Sequence, residues 1–63
     1  MSFATELIKF CKLREIKITY MGQTVLFEKD GKHAMSHVFD DLEDIMEILV
    51  RTQMIAKEEA AHV

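Results

Sequence analysis

The chain is expected to fold as one α+β domain over residues 1–63, with element order α-β-β-β-α. A three-stranded antiparallel meander would carry a short N-terminal and a long C-terminal helix packed on one face. Three observations predict this. Apolar residues recur at helical spacing near both ends of the chain, and they alternate every second residue in the middle. The alternating stretch is broken at Gly22-Gln23 and Asp30-Gly31, dipeptides that suit two-residue hairpin turns.

The first helix is expected from Ser2 to about Leu13, with the Ser2 hydroxyl as N-cap. Phe3, Leu7, Phe10 and Cys11 share one helical face, flanked by Ala4 and Ile8, while Thr5, Lys9 and Lys12 fall opposite. Lys12 and Arg14 lie where the helix dipole favours cations. From Glu15 the period becomes two: Ile16, Ile18 and Tyr20 alternate with Lys17, Thr19 and Met21. Gly22 fits the first central position of a type II′ turn, and Asp30-Gly31 fits a type I′ turn, which needs positive φ at both positions. The second strand is then Thr24 to Lys29, and the third runs from Lys32 to Phe39.

Those turns set a register. Tyr20 faces Val25, Ile18 faces Phe27, and Phe27 faces Ala34, so Ile16, Ile18, Tyr20, Val25, Phe27, Ala34, Ser36 and Val38 share one face. The other face carries the rows Lys17–Glu28–His33, Thr19–Leu26–Met35 and Met21–Thr24–His37. A slip of one residue in either hairpin would mix the two sets.

The last helix is expected to open with Asp40 and Glu43 as a capping box, with Asp41 and Asp44 suiting the positive helix end. Leu42, Ile45, Met46, Leu49, Ala56 and Ala60 form its stripe, with Val50 on the edge. No Gly or Pro interrupts the run before about Ala61. Such a rod is about 30 Å long. A seven-residue strand is about 23 Å, so the last turns would overhang the sheet.

The chain has 63 residues, of which 49% are apolar and 30% charged, with one Cys and a net charge of −3. A chain this short buries only about 60% of its unfolded surface, so its core is thin and association is favoured. One cysteine excludes an internal disulfide, which fits a reducing, cytoplasmic setting. No apolar run approaches the roughly 18 residues of a membrane span, and MSFATELIKF lacks a signal-peptide pattern. No membrane role is expected.

Catalysis finds little material. Cys11 lies on an apolar stripe, whereas reactive thiols need exposure and nearby positive charge. His33 and His37 sit about 13 Å apart along one strand, too far to share a metal, and His62 is near the end of the chain. There is no Gly-rich phosphate loop, Cys pair, nucleophile elbow or EF-hand loop. The expectation is a non-enzymatic protein with no cofactor and no metal.

Three surfaces are candidates for contact. Ile48, Met54 and Ile55 lie off the main stripe of the last helix, and Leu26 and Met35 pair on the outer sheet face with Met21 nearby. These residues are expected to mediate self-association as a homodimer. Asp40, Asp41, Glu43, Asp44 and Glu47 form an acidic surface for a basic partner protein. Lys9, Lys12, Arg14, Lys29 and Lys32 form a basic patch that supports an alternative, a nucleic-acid-associated regulator. Residues 1–33 carry +2 and residues 34–63 carry −5, and complementary ends can pair two copies of a protein.

The order α-β-β-β-α is also that of the double-stranded-RNA-binding domain family, which the chain resembles in order and approximate length. That family carries a basic cluster at the start of its last helix and a Pro- and His-containing loop between its first two strands. Here those positions hold Asp40-Asp41-Leu42-Glu43-Asp44 and Met21-Gly22-Gln23. Acids at that helix end would repel phosphates, and the sheet lacks a pair of exposed aromatics for base stacking. Nucleic acid is therefore disfavoured. In size and acidic character the chain resembles accessory proteins of bacteriophages and mobile elements, some of which act on a host protein. The expected function is a small cytoplasmic interaction or regulatory protein.

Overall fold

The structure, a computed structural model, describes residues 3–58. The expectations for Ser2, Ala60, Ala61 and His62, and for the side chains of Phe3 and Ala4, lie outside the described residues. The element order is α1 (Phe3–Leu13), β1 (Lys17–Met21), β2 (Thr24–Lys29), β3 (Lys32–His37) and α2 (Leu42–Arg51). The strands form one antiparallel sheet in the order β1-β2-β3.

The register is the one that the turns imply. Ile18 pairs with Phe27, Thr19 with Leu26 and Tyr20 with Val25 in the first hairpin. Leu26 pairs with Met35, Phe27 with Ala34 and Glu28 with His33 in the second. Gly22 adopts φ +65, while Asp30 and Gly31 adopt φ +49 and +80. The second turn thus has positive φ at both central positions, as a type I′ hairpin requires. The third strand stops at His37, two residues short of Phe39, because the chain turns there toward α2.

Both helices cover the face that carries Val25, Phe27, Ala34 and Ser36. Leu7, Cys11, Ile16, Val25, Phe27, Ala34, Ile45, Met46 and Leu49 form a single core, with Phe10, Ile18, Val38, Leu42, Ile48 and Val50 packed around it. Ser36 is the buried polar residue of this face, and its Oγ finds no hydrogen-bond partner among the described residues.

The long last helix is corrected. α2 ends at Arg51, and Thr52 caps it through its N–H and its hydroxyl, which donate to carbonyls of the last turn. Gln53 then takes φ +62, the Gln53 N–H bonds to Val50 O at 3.0 Å and the Met54 N–H to Leu49 O at 2.8 Å. This is a Schellman closure, which satisfies the orphan carbonyls of a helix end and brings two apolar side chains together. Met54 and Ile55 consequently enter the core, only 2% and 6% exposed. Ala56 is exposed and does not join a helical stripe.

α1 ends the same way. Glu15 adopts φ +60, its N–H bonds to Lys12 O, and the Ile16 N–H bonds to Cys11 O at 2.8 Å. Ile16 meets Cys11 here as Met54 meets Leu49 there. Neither stop uses glycine. The burial of the second apolar partner offsets the cost of a left-handed Glu or Gln, which is roughly 1–2 kcal/mol.

Candidate functional site

The segment between β3 and α2 builds an acidic end. The His37 N–H donates to Asp40 Oδ2 at 2.8 Å, and the Asp40 N–H donates back to His37 O at 3.0 Å. The Phe39 N–H donates to His37 Nδ1 at 3.2 Å, and the two rings stack with centroids 4.8 Å apart. Asp40 is therefore occupied by the strand end and does not cap the helix. The cap falls to Asp41, whose Oδ1 accepts the Asp44 N–H at 2.9 Å. The expected Asp40–Glu43 capping box is thus replaced by an Asp41 cap one residue later.

Asp41, Glu43, Asp44 and Glu47 are exposed, with Asp40 half-buried beside them. The Asp41 charge, with Asp40 and Glu47 adding to it, holds the Asp44 carboxyl above its ordinary range. Asp44 therefore binds its proton more tightly in the folded chain than in the unfolded one. Its ionisation works against folding, a penalty absent below the ordinary value of 3.8 and fully present once pH passes the raised one. Asp41→Ala is expected to lose about 1 kcal/mol through the missing cap. Asp44→Asn, which relieves repulsion and leaves the backbone bond intact, is expected to lose nothing. Urea unfolding of both variants at neutral pH checks this, and equal losses would contradict the assignment of the cap.

Topology gathers the cations at the opposite end. β1 begins, β2 ends and β3 begins at the same end of the sheet, so Lys17, Lys29 and Lys32 lie together there. α1 feeds β1 at that end and brings Lys12 and Arg14, while Lys9 sits one turn earlier. Among the described residues, Arg14 and Lys32 are engaged. The Arg14 guanidinium lies 3.7 Å from the Phe10 ring centroid and donates to Phe10 O at 3.3 Å. Lys32 Nζ donates to Gln53 O at 3.0 Å, tying the second hairpin to the stop of α2.

No described helix lies over the outer sheet face. Leu26 is half-buried at its centre, Met35 is 62% exposed beside it, and Met21 lies exposed on the neighbouring row. Phe39, 78% exposed, extends this face through its contact with His37. Sequence reasoning left Phe39 out of the site, although its odd position continues the alternation of His33, Met35 and His37. Of the residues expected to mediate self-association, Leu26 and Met35 do share this surface. Ile48 is half-buried against the core, and Met54 and Ile55 are core residues, so the helical version of that surface does not form.

The candidates for chemistry are separated. Cys11 is fully buried, and burial, partly offset by the Arg14 charge, pushes its thiol up to about 11. A protonated, enclosed thiol is not a nucleophile. His33 lies 3.4 Å from Glu28 across the outer face, while His37 is held by Phe39. Among the described residues no group of three or more His, Cys, Asp or Glu side chains could hold a metal ion. Among them, too, no helix is long and apolar enough to cross a membrane.

No protein-family model, curated protein or solved structure matches the chain.

Proposed function

We propose that the chain is a small, non-enzymatic interaction domain of the cytoplasm that acts as a homodimer and docks a partner protein. The observation that carries this reading is the uncovered outer sheet face. Its Met21, Leu26, Met35 and Phe39 stand beside the acidic end formed by Asp40, Asp41, Asp44 and Glu47. An apolar surface with an acidic end suits a protein partner that sets a basic group beside an apolar patch. The chain's size and acidic character are in keeping with an accessory protein of a bacteriophage or mobile element that regulates a host protein.

Affinity capture from the host, comparing the wild type with Met35→Lys and with a combined Asp40→Asn, Asp41→Asn, Asp44→Asn variant, tests this reading. One protein retained by the wild type and lost from both variants is expected. A capture set that is unchanged in both would overturn it. The gathering of Lys12, Arg14, Lys17, Lys29 and Lys32 at one end favours a second reading, a nucleic-acid-associated regulator. A salt-dependent mobility shift with mixed DNA and RNA probes would move the balance to that reading, because phosphate contacts weaken steeply with salt.

A further inference from the structure

The two edges of the sheet are not equivalent. The Val38 N–H donates to Gln23 O at 2.9 Å, so 23/38 is a hydrogen-bonded position of the ladder. Because such positions alternate in an antiparallel ladder, Val25, Phe27 and Lys29 are the β2 residues that bond to β3. Thr24, Leu26 and Glu28 then bond to Met21, Thr19 and Lys17 of β1. The backbone groups of Ile18 and Tyr20 consequently point out of the sheet, and no described residue takes them. The open stretch is bounded behind by Ile16, whose outward N–H is held by Cys11 O.

The β3 edge is closed at its far end. Its outward residues are His33, Met35 and His37, and Asp40 folds back to take both backbone groups of His37. Among the described residues His33 and Met35 keep their outward backbone groups open, as Ile18 and Tyr20 do, and on the β1 side only the Ile16 N–H is held. β1 itself has no proline and no bulge. Edges left open in this way are templates for another strand.

We infer that β1 is the dimerisation edge: two copies of this chain pair their β1 strands antiparallel about a two-fold axis at Thr19, joining two sheets into one. This rests on the homodimer reading above and names its surface. Symmetry favours a second copy over an unrelated strand. Ile18 of one copy meets Tyr20 of the other, and the two exchange both backbone bonds at each end of the pair. Every side chain keeps its face, with Ile18 and Tyr20 on the helical side and Lys17, Thr19 and Met21 on the outer side.

Charge favours it too. β1 starts at the basic end, with Lys12, Arg14, Lys29 and Lys32, and finishes at the end that carries Asp40, Asp41 and Asp44. The two-fold axis lays the basic end of each copy beside the acidic end of the other. α1 packs against β1, and its exposed Ile8 and Leu13, five residues apart, lie on opposite flanks. Whichever flank faces the axis therefore brings an apolar side chain to the contact.

The experiment combines sedimentation at micromolar concentrations, amide hydrogen exchange and cysteine cross-linking of the full chain. Thr19 of each copy would oppose its equivalent in a pair without mutual backbone bonds, where Cα atoms stand close enough for a disulfide. Thr19→Cys is therefore expected to cross-link on the order of ten-fold faster than Met35→Cys on the opposite edge. The Ile18 and Tyr20 amides are expected to gain protection as the dimer fraction rises, and added salt to lower that fraction. Tyr20→Pro removes an outward N–H that the sheet itself does not use and is expected to abolish the dimer; cross-linking and exchange keep the test decisive if that variant unfolds.

A monomer at every concentration would overturn both this inference and the homodimer reading. A dimer with freely exchanging Ile18 and Tyr20 amides, or with Met35→Cys linking at least as fast as Thr19→Cys, would overturn this inference alone. So would protected amides in a monomer, since the chain itself would then cover the edge.

Discussion

Phe27→Ala is expected to remove about 3–5 kcal/mol of stability, as large-to-small changes of a buried aromatic do. Phe27 is 0% exposed at the centre of the middle strand, with Ile18 and Ala34 as its cross-strand neighbours. It thus touches both hairpins and the core beneath both helices. A domain of 63 residues has a total stability of about 3–9 kcal/mol on the usual per-residue scale. The variant is therefore expected to lose most of its far-UV dichroism or to melt at very low urea. Leu26→Ala, one residue away on the uncovered face, is expected to cost less than about 1 kcal/mol. Similar losses for the two variants would contradict the division of the sheet into a covered and an open face.

The second large effect lies where α2 stops. Met54→Ala is expected to cost about 2–5 kcal/mol, because the side chain fills the core against Leu49. An exposed methionine on an overhanging helix would cost less than about 0.5 kcal/mol. Gln53→Gly supplies a test of sign. In the left-handed conformation at φ +62, glycine relieves strain and is expected to stabilise by about 0.5–1 kcal/mol. In an uninterrupted helix the same change would destabilise by roughly 1 kcal/mol. Thermal melts of the two single variants decide between these alternatives.

The sheet was legible because each turn carries its own chemical signature. Gly22-Gln23 and Asp30-Gly31 each fix a two-residue loop, and a loop of known length fixes the pairing of every residue in its hairpin. The stop of α2 was not legible in the same way. Leu42, Ile45, Met46 and Leu49 set a helical stripe that Ala56 continues, and neither Gly nor Pro marks the break. What decides it is tertiary: a continuing helix would leave Met54 and Ile55 in water, whereas a turn at Gln53 buries both. A shared spacing hints at it. Cys11 and Ile16, like Leu49 and Met54, are apolar residues five apart that straddle a helix end.

The acidic surface could be read as a linear run, but not the division of labour within it. Either Asp40 or Asp41 can cap a helix, and the choice falls to Asp41 because the His37 backbone claims the Asp40 carboxylate. That bond also distinguishes the β3 edge from the β1 edge, and it depends on how the chain turns after the strand. The outer apolar face follows directly from the register. Its extension by Phe39 depends on the ring contact with His37 beyond the strand end.

The two-residue turns also bear on how fast the native state is reached. Each strand pairs only with its neighbour in sequence, so both hairpins can zip outward from a closed turn on a timescale of about 1–10 μs. The chain has no proline, and so no slow prolyl isomerisation phase. What remains is the docking of two helices and the seating of Met54 and Ile55, each close in sequence to the element that it joins. With so little chain entropy spent on closing long loops, a newly made molecule is expected to spend little time unfolded.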